Sequence, residues 1–156
     1  YNTLPKIFDA YSVREDDCRT VLSYLSLYLE QNNDCSVMVI DGLLDLVINY
    51  NDETESRLLI QLLKQLTKKH NVLIITVIHL GKRDLQTVGH LGSASDRYAQ
   101  STLIVEKDKD QDCFVLSSKY MRSDADFEPI AIKYSHGEYH SYNYEPSIKE
   151  NFKKKK

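Results

Sequence analysis

The sequence predicts an α/β fold in which a parallel sheet core continues as antiparallel C-terminal strands, with helices on both faces. Two continuous apolar runs, at residues 37–40 and 72–78, have the length of buried strands. Segments with helical spacing of apolar residues precede each run, which is typical of right-handed parallel crossovers. Closely spaced strand-like segments after residue 100 indicate antiparallel hairpins instead.

The first strand and the first helix are expected before residue 35. Residues 4–10 have the pattern of a short strand. Ser12 and Glu15 then have the spacing of a capping box, which satisfies free backbone amides at the start of a helix. Apolar side chains recur at intervals of three and four residues from Cys18 to Leu29, so we expect them to form one buried helical face.

The apolar run at residues 37–40 is expected to be a central strand. A strand without polar residues must be covered on both faces, as in a parallel sheet. Asp52 and Glu55 have capping-box spacing again and predict the start of a second helix, whose last turn is basic. The run at residues 72–78 is then expected to be the next parallel strand.

The pattern changes after residue 80. Residues 80–100 are polar, contain three of the five glycines of the chain, and are expected to form a loop followed by a short helix at residues 94–100. Strand-like segments follow at residues 102–106, 113–118, 129–134 and 138–142. We therefore expect one domain over residues 1–145 and a basic, disordered tail over residues 146–156.

Composition excludes several classes of protein. The 156 residues are 42% hydrophobic and 28% charged, as in a soluble globular chain. The longest apolar run, residues 72–78, is far shorter than the roughly 20 residues needed to span a bilayer, so no membrane partner is expected. The three cysteines form no CxxC pair, which favours a reducing compartment, the cytoplasm. A net charge of -3 argues against a stand-alone module that binds nucleic acid tightly.

Two polar side chains follow the two apolar runs. Asp41 ends the first run, and His79 ends the second. Ligands of open parallel sheets bind outside the carboxyl ends of the strands. A carboxylate there can orient a water bound to Mg²⁺ beside a triphosphate, whereas the alternative is an aspartate that caps a turn. His79 is either a partner of Asp41 in one cleft or a hydrogen-bonded histidine at a strand exit.

Basic residues supply the other candidates. Lys82 and Arg83 begin a glycine-containing loop that either contacts phosphates or is a plain surface loop. Lys119 and Arg122 follow a predicted strand. A guanidinium at that position either stabilises phosphoryl charge across a subunit boundary or forms an ordinary salt bridge in a hairpin.

The order of these motifs resembles the C-terminal part of a RecA-like ATPase core. The similar families are the hexameric replicative helicases and the RepA-type helicases of plasmids and mobile elements, and the resemblance covers roughly residues 36–134. The matching features are the strand ending at Asp41, the strand ending at His79, the glycine-containing loop, residues 92–96 at a helix start, and Lys119 with Arg122.

The resemblance implies a role for each candidate. Asp41 resembles the Walker B aspartate that holds Mg²⁺ through water, and His79 resembles the polar residue that senses the γ-phosphate. Lys119 and Arg122 resemble the basic pair that reaches into the nucleotide site of a neighbouring subunit. The DNA-binding loop of the family would lie at residues 82–91, and its candidate contacts to single-stranded DNA are Lys82, Arg83 and His90.

One feature of the family is missing from the chain. No GxxxxGK[ST] phosphate-binding motif occurs, nor the strand-end glutamate that follows it. We therefore expect the C-terminal piece of a DNA-dependent NTPase or helicase, acting in replication or mobilisation of a plasmid or mobile element. The parent would use ATP and Mg²⁺ and assemble as a homo-oligomeric ring or filament, whereas this chain alone would bind no cofactor and be inactive. The alternative is a RecA-like scaffold or regulatory DNA-associated module that naturally lacks the P-loop.

Overall fold

The computed structural model describes residues 10–12, 17–81 and 87–146. The chain forms two compact units, Tyr1–Arg97 and Tyr98–Lys156. Residues 4–9 of the expected first strand and residues 147–156 of the expected basic tail lie outside the described residues. Within the described part, no helix has the length and apolar character needed to cross a membrane.

The first unit contains a parallel pair of strands. Strand β1 pairs with β2 in a register that runs from Val37 opposite Leu73 to Asp41 opposite Val77. This confirms the parallel pairing of the two apolar runs. Among the described residues, each of these strands pairs only with the other. The elements in chain order are α1 (Cys18–Gln31), β1 (Val37–Asp41), a 3-10 turn (Leu43–Leu46), α2 (Glu53–His70), β2 (Leu73–Val77) and α3 (Gly89–Tyr98).

Helix α1 begins at Asp17 and not at the expected capping box of Ser12. The Asp17 carboxylate accepts hydrogen bonds from the backbone amides of Arg19 and Thr20, at 3.0 and 3.1 Å. The Thr20 hydroxyl also donates to this carboxylate and, with the amides, holds the pKa of Asp17 below its usual value. Glu15, the second residue of the expected capping box, lies outside the described residues. The start of α1 follows from Asp17, which places a charged acceptor at the free amides.

Helix α2 begins where the sequence predicts. Asp52 is its N-cap and accepts a 2.7 Å hydrogen bond from the backbone amide of Glu55. The last turn contains Lys68, Lys69 and His70, whose positive charge complements the negative end of the helix dipole when protonated. Asn71 then adopts a left-handed conformation with φ of 52°, which ends the helix.

The described helices bury one face of the parallel pair. Met38 and Ile40 are buried, whereas Val37 and Val39 are 51% and 62% exposed. The expectation of helices on both faces is therefore wrong for the described residues. An apolar run does not reveal which side of a strand will be covered, and here the alternation of burial decides it. The core is completed by all three described helices, through residues that include Val21, Leu29, Leu59, Leu63, Leu66 and Leu91.

Helix α3 begins at Gly89, five residues before the expected start, and ends at Tyr98. Glycine disfavours helices by about 1 kcal/mol relative to alanine, so Gly89 and Gly92 argued for a loop. The burial of Leu91, which is fully enclosed in the core, offsets this preference. The earlier start is therefore set by tertiary packing.

The second unit is an antiparallel sheet, as the spacing of its strands predicts. Its strand order is β3-β4-β5-β6, formed by Ser101–Asp108, Cys113–Met121, Ile130–Ser135 and Glu138–Asn143. His136 and Gly137 make the turn between β5 and β6 and both have positive φ, as in a type I′ turn. The described strands form two separate sheets, so the expected continuation of one sheet through both regions is not seen.

The one-sided core predicts different costs for two neighbouring leucines of α2. Leu59 is 3% exposed, whereas Leu58 is 59% exposed. We expect Leu59→Ala to lower the free energy of unfolding by about 2 to 5 kcal/mol, because it leaves a cavity. Leu58→Ala should change it by less than about 0.5 kcal/mol. Urea unfolding of both variants measures the difference, and equal losses would contradict the assigned face.

Candidate functional site

Asp41 and His79 lie at the same edge of the parallel pair. Asp41 is the last residue of β1 and stands opposite Val77, the last residue of β2. His79 follows Val77 by two positions, and the alternation of exposed and partly buried side chains continues through it. Asp41 and His79 therefore share the exposed face of the pair as well as its carboxyl edge.

The loop that leaves β1 is held by several hydrogen bonds. Gly42 has a φ of 95°, and its carbonyl accepts a 3.0 Å bond from the amide of Asp45. Further along, the Glu55 carboxylate accepts bonds from the amides of Ile48 and Asn49, both at 2.9 Å. Glu55 was expected to close a capping box, but the structure shows it fixing the loop that follows Asp41.

The segment that leaves β2 returns toward the same edge. Leu80 and Thr87 form an isolated antiparallel bridge just after His79. The bridge places Leu80 beside Thr87. The candidate residues Lys82 and Arg83 lie outside the described residues.

His90 is an exposed residue of the first turn of α3. The amide of Leu91, the next residue, donates a 3.0 Å hydrogen bond to the carbonyl of Tyr50 in the loop after β1. Sequence reasoning did not single out Tyr50 or Thr87, which contact this helix from two different loops. The signal that could have found this contact is the pair of glycines at the start of a helix.

Lys119 lies near the end of β4 in the second unit, and Arg122 follows Met121, the last residue of that strand. Lys119 falls where the β3–β4 register shifts, with its ammonium 5.7 Å from the ring centre of Tyr120. The Arg122 Nε donates a 2.8 Å hydrogen bond to the carbonyl of Ala99. The backbone amide of Arg122 donates to the carbonyl of Gln100 at 3.1 Å.

The described side chains supply few of the oxygen ligands that a cation such as Mg²⁺ needs. Within residues 10–12, 17–81 and 87–146, no group of three or more His, Cys, Asp and Glu side chains could hold a metal ion. Asp41 is a single exposed carboxylate. Mg²⁺ keeps several waters and is often held by one or two carboxylates together with substrate phosphates. Asp41 alone could bind Mg²⁺ only through water and together with ligands from outside the described residues.

Comparison with known proteins adds no assignment. No protein-family model matches the chain, and no curated protein sequence matches it. The resemblance to RecA-like ATPases therefore rests on the order of the motifs along the chain and on the positions of Asp41 and His79.

The loop after β1 should depend on Glu55. Glu55→Ala leaves the amides of Ile48 and Asn49 without this acceptor. We expect a loss of about 1 to 3 kcal/mol in the free energy of unfolding, because hydrogen bonds to charged groups are the stronger class. Glu53→Ala, in the same helical turn, is the control. Chemical unfolding measures both variants, and an equal effect would show that the loop does not need this carboxylate.

Proposed function

We propose that this chain is the C-terminal portion of a RecA-like ATPase core from a DNA-dependent NTPase of the helicase type. Asp41 takes the role of the Walker B aspartate, and His79 takes that of the residue sensing the γ-phosphate. The parent protein uses ATP and Mg²⁺ in the replication or mobilisation of a plasmid or mobile element. The chain alone is inactive, since its 156 residues contain no phosphate-binding P-loop.

The proposal depends on one observation: Asp41 and His79 lie on the same exposed face and at the same carboxyl edge of the parallel pair β1–β2. Parallel strands present their carboxyl ends to ligands. Asp41 ends β1, and His79 lies two residues after the end of the paired strand β2. The Asp41 carboxylate would hold Mg²⁺ through water. His79, on the neighbouring strand exit, would contact the phosphates that the cation orients. The two residues thereby divide the binding of metal and phosphate between them.

Single-stranded DNA is the proposed polymer partner. Lys82 and Arg83 would contact phosphates, which fixes position without reading sequence. Support comes from their place in the sequence, three and four residues after His79, which ends the second apolar run. His90 would add a contact from the exposed side of the first turn of α3.

A homo-oligomeric ring or filament is the proposed assembly. Lys119 and Arg122 would reach the nucleotide site of a neighbouring subunit. A guanidinium is suited to this task because its planar fork of donors matches phosphate oxygens. Support comes from the hydrogen bond of the Arg122 Nε to Ala99, which restricts the direction of the guanidinium.

One observation favours a second candidate function. The 156 residues contain no GxxxxGK[ST] motif. This fits a RecA-like scaffold or regulatory DNA-associated module without ATPase activity. The cytoplasm is the proposed location in both cases. Support comes from Cys18, Cys35 and Cys113, which are free thiols.

Binding to a fluorescein-labelled oligothymidine tests the DNA assignment. We expect the chain to bind, with an affinity that falls as salt rises. Lys82→Ala together with Arg83→Ala should reduce the slope of log K against log salt by about 1.4, the value for two phosphate contacts on a single strand. Arg57→Ala with Lys68→Ala removes the same charge from α2 and should leave the slope nearly unchanged. Equal slopes for both double variants would contradict the assigned loop.

Calorimetry with Mg-ATP tests the nucleotide assignment. We expect weak binding or none, because phosphate affinity in the resembling family depends on a P-loop that these residues lack. Any residual binding should fall in Asp41→Asn and persist in Asp45→Asn, which removes the same charge four residues later. Binding in the low micromolar range, or residual binding that does not change in Asp41→Asn, would place the nucleotide elsewhere.

A further inference from the structure

The antiparallel sheet of the second unit has one apolar face that is exposed. Residues paired across neighbouring strands lie on the same face of a sheet, and so do alternate residues along each strand. The register through β3, β4, β5 and β6 places five large apolar side chains together, with at least one from each strand: Leu103, Val105, Phe114, Tyr134 and Tyr139. We call these five residues the open face.

The open face differs from the other side of the same sheet. Its five side chains are 44% to 74% exposed, whereas Cys113 and Ala131, on the opposite side, are 2% and 0% exposed. An apolar sheet face is normally buried against a second layer. From their exposed fractions, the five residues present on the order of 500 Å² of surface, near the largest apolar patch that a typical monomer leaves uncovered.

This area suits contact with a second copy of the chain. A standard interface buries about 800 Å² on each partner, and in homodimers about 65% of that surface is apolar. The open face therefore supplies about the apolar area that one partner of a homodimer needs.

Charge also favours a second copy over a nucleic acid. Residues 98–146 contain five Lys and Arg against nine Asp and Glu, a balance that does not attract phosphates. Among the paired residues of the described strands, Lys107 is the one charged side chain on the side of the open face. Its ammonium lies 3.4 Å from the Asp112 carboxylate and 5.9 Å from the ring centre of Phe114. Because this charge is paired within its own chain, two such faces can meet without like-charge repulsion.

We propose that the open face packs against the open face of a second copy of this chain, as a two-fold symmetric contact between two sheets. Stacked sheets lie about 10 Å apart, so side chains from both fill the space between them. Phe114, Tyr134 and Tyr139 are the anchors, since aromatic side chains supply much of the binding energy of interfaces. The rings of Tyr134 and Tyr139 lie 4.9 Å apart and restrict each other, which lowers the entropy lost on association. The contact uses neither nucleotide nor DNA, so its failure would leave the proposed function unchanged.

The test compares two charge substitutions in the full chain. Val105→Glu places a carboxylate on the open face, where Val105 is 58% exposed. Val39→Glu is the matched control, because Val39 is a strand valine of similar exposure, 62%, on the parallel pair of the first unit. Both variants lose the same side chain and gain the same charge. Neither should unfold the single chain, since both positions face solvent.

Analytical ultracentrifugation over a series of concentrations is the first measurement. The parental chain and Val39→Glu should approach twice the 18.1 kDa mass of one chain as concentration rises. Val105→Glu should raise the dissociation constant about tenfold or more, because each dimer would bury two unpaired charges. A parental chain that stays monomeric up to about 1 mM would overturn the proposal. Dimerisation of Val105→Glu with the parental constant would do the same.

Methyl NMR during dilution identifies the surface. The signals of Leu103 and Val105 should shift with concentration, whereas those of Val37 and Val39 should not. Shifts at Val37 and Val39 instead would place the contact on the parallel pair and overturn the proposal. Shifts at Leu103 and Val105 that appear only when oligothymidine is added would make nucleic acid the occupant.

Urea unfolding at a concentration where the parental chain is monomeric tests whether the open face is covered within its own chain. Val105→Glu and Val39→Glu should then unfold at similar urea concentrations. A clearly earlier transition for Val105→Glu would show that Val105 is buried in the single chain, and a second copy could not occupy that face.

Discussion

The inward packing of Met38 and Ile40 determines the rest of the first unit. These two side chains join the core formed by the described helices. Because side chains alternate along a strand, burying them turns Val39 and Asp41 to the opposite face. The parallel register then places Val77 beside Asp41, with His79 two residues beyond. The contacts that fold the unit are thus the ones that expose the two candidate side chains together.

Local signals predicted most of the elements, and the errors come from contacts distant in sequence. The Asp52 cap of α2 and the strands of the second unit follow from spacing and turn chemistry. The early start of α3 does not, because Gly89 is favoured there by the nearness of Tyr50. The sequence contains no signal that Gly89 and Tyr50 lie close together. Likewise, an apolar strand carries no signal that only one of its faces will be covered.

The candidate site was likewise predicted only in part from the sequence. Asp41 and His79 could be predicted, because each directly follows an apolar run and parallel strands end at one edge. Glu55 was predicted as a capping residue, yet its carboxylate accepts from Ile48 and Asn49 in the loop after β1. A carboxylate at the start of a helix can accept a hydrogen bond from any free backbone amide that lies close enough. Sequence spacing identifies the acceptor, but only the fold identifies the donors.

The side chain of Arg122 is held by a backbone carbonyl of the segment before β3. The Nε of Arg122 donates a 2.8 Å hydrogen bond to the Ala99 carbonyl. Because the guanidinium is planar, fixing the Nε also fixes the direction of the fork formed by the two terminal nitrogens. The bond to Ala99 therefore ties the direction of the Arg122 guanidinium to the segment that leads into β3.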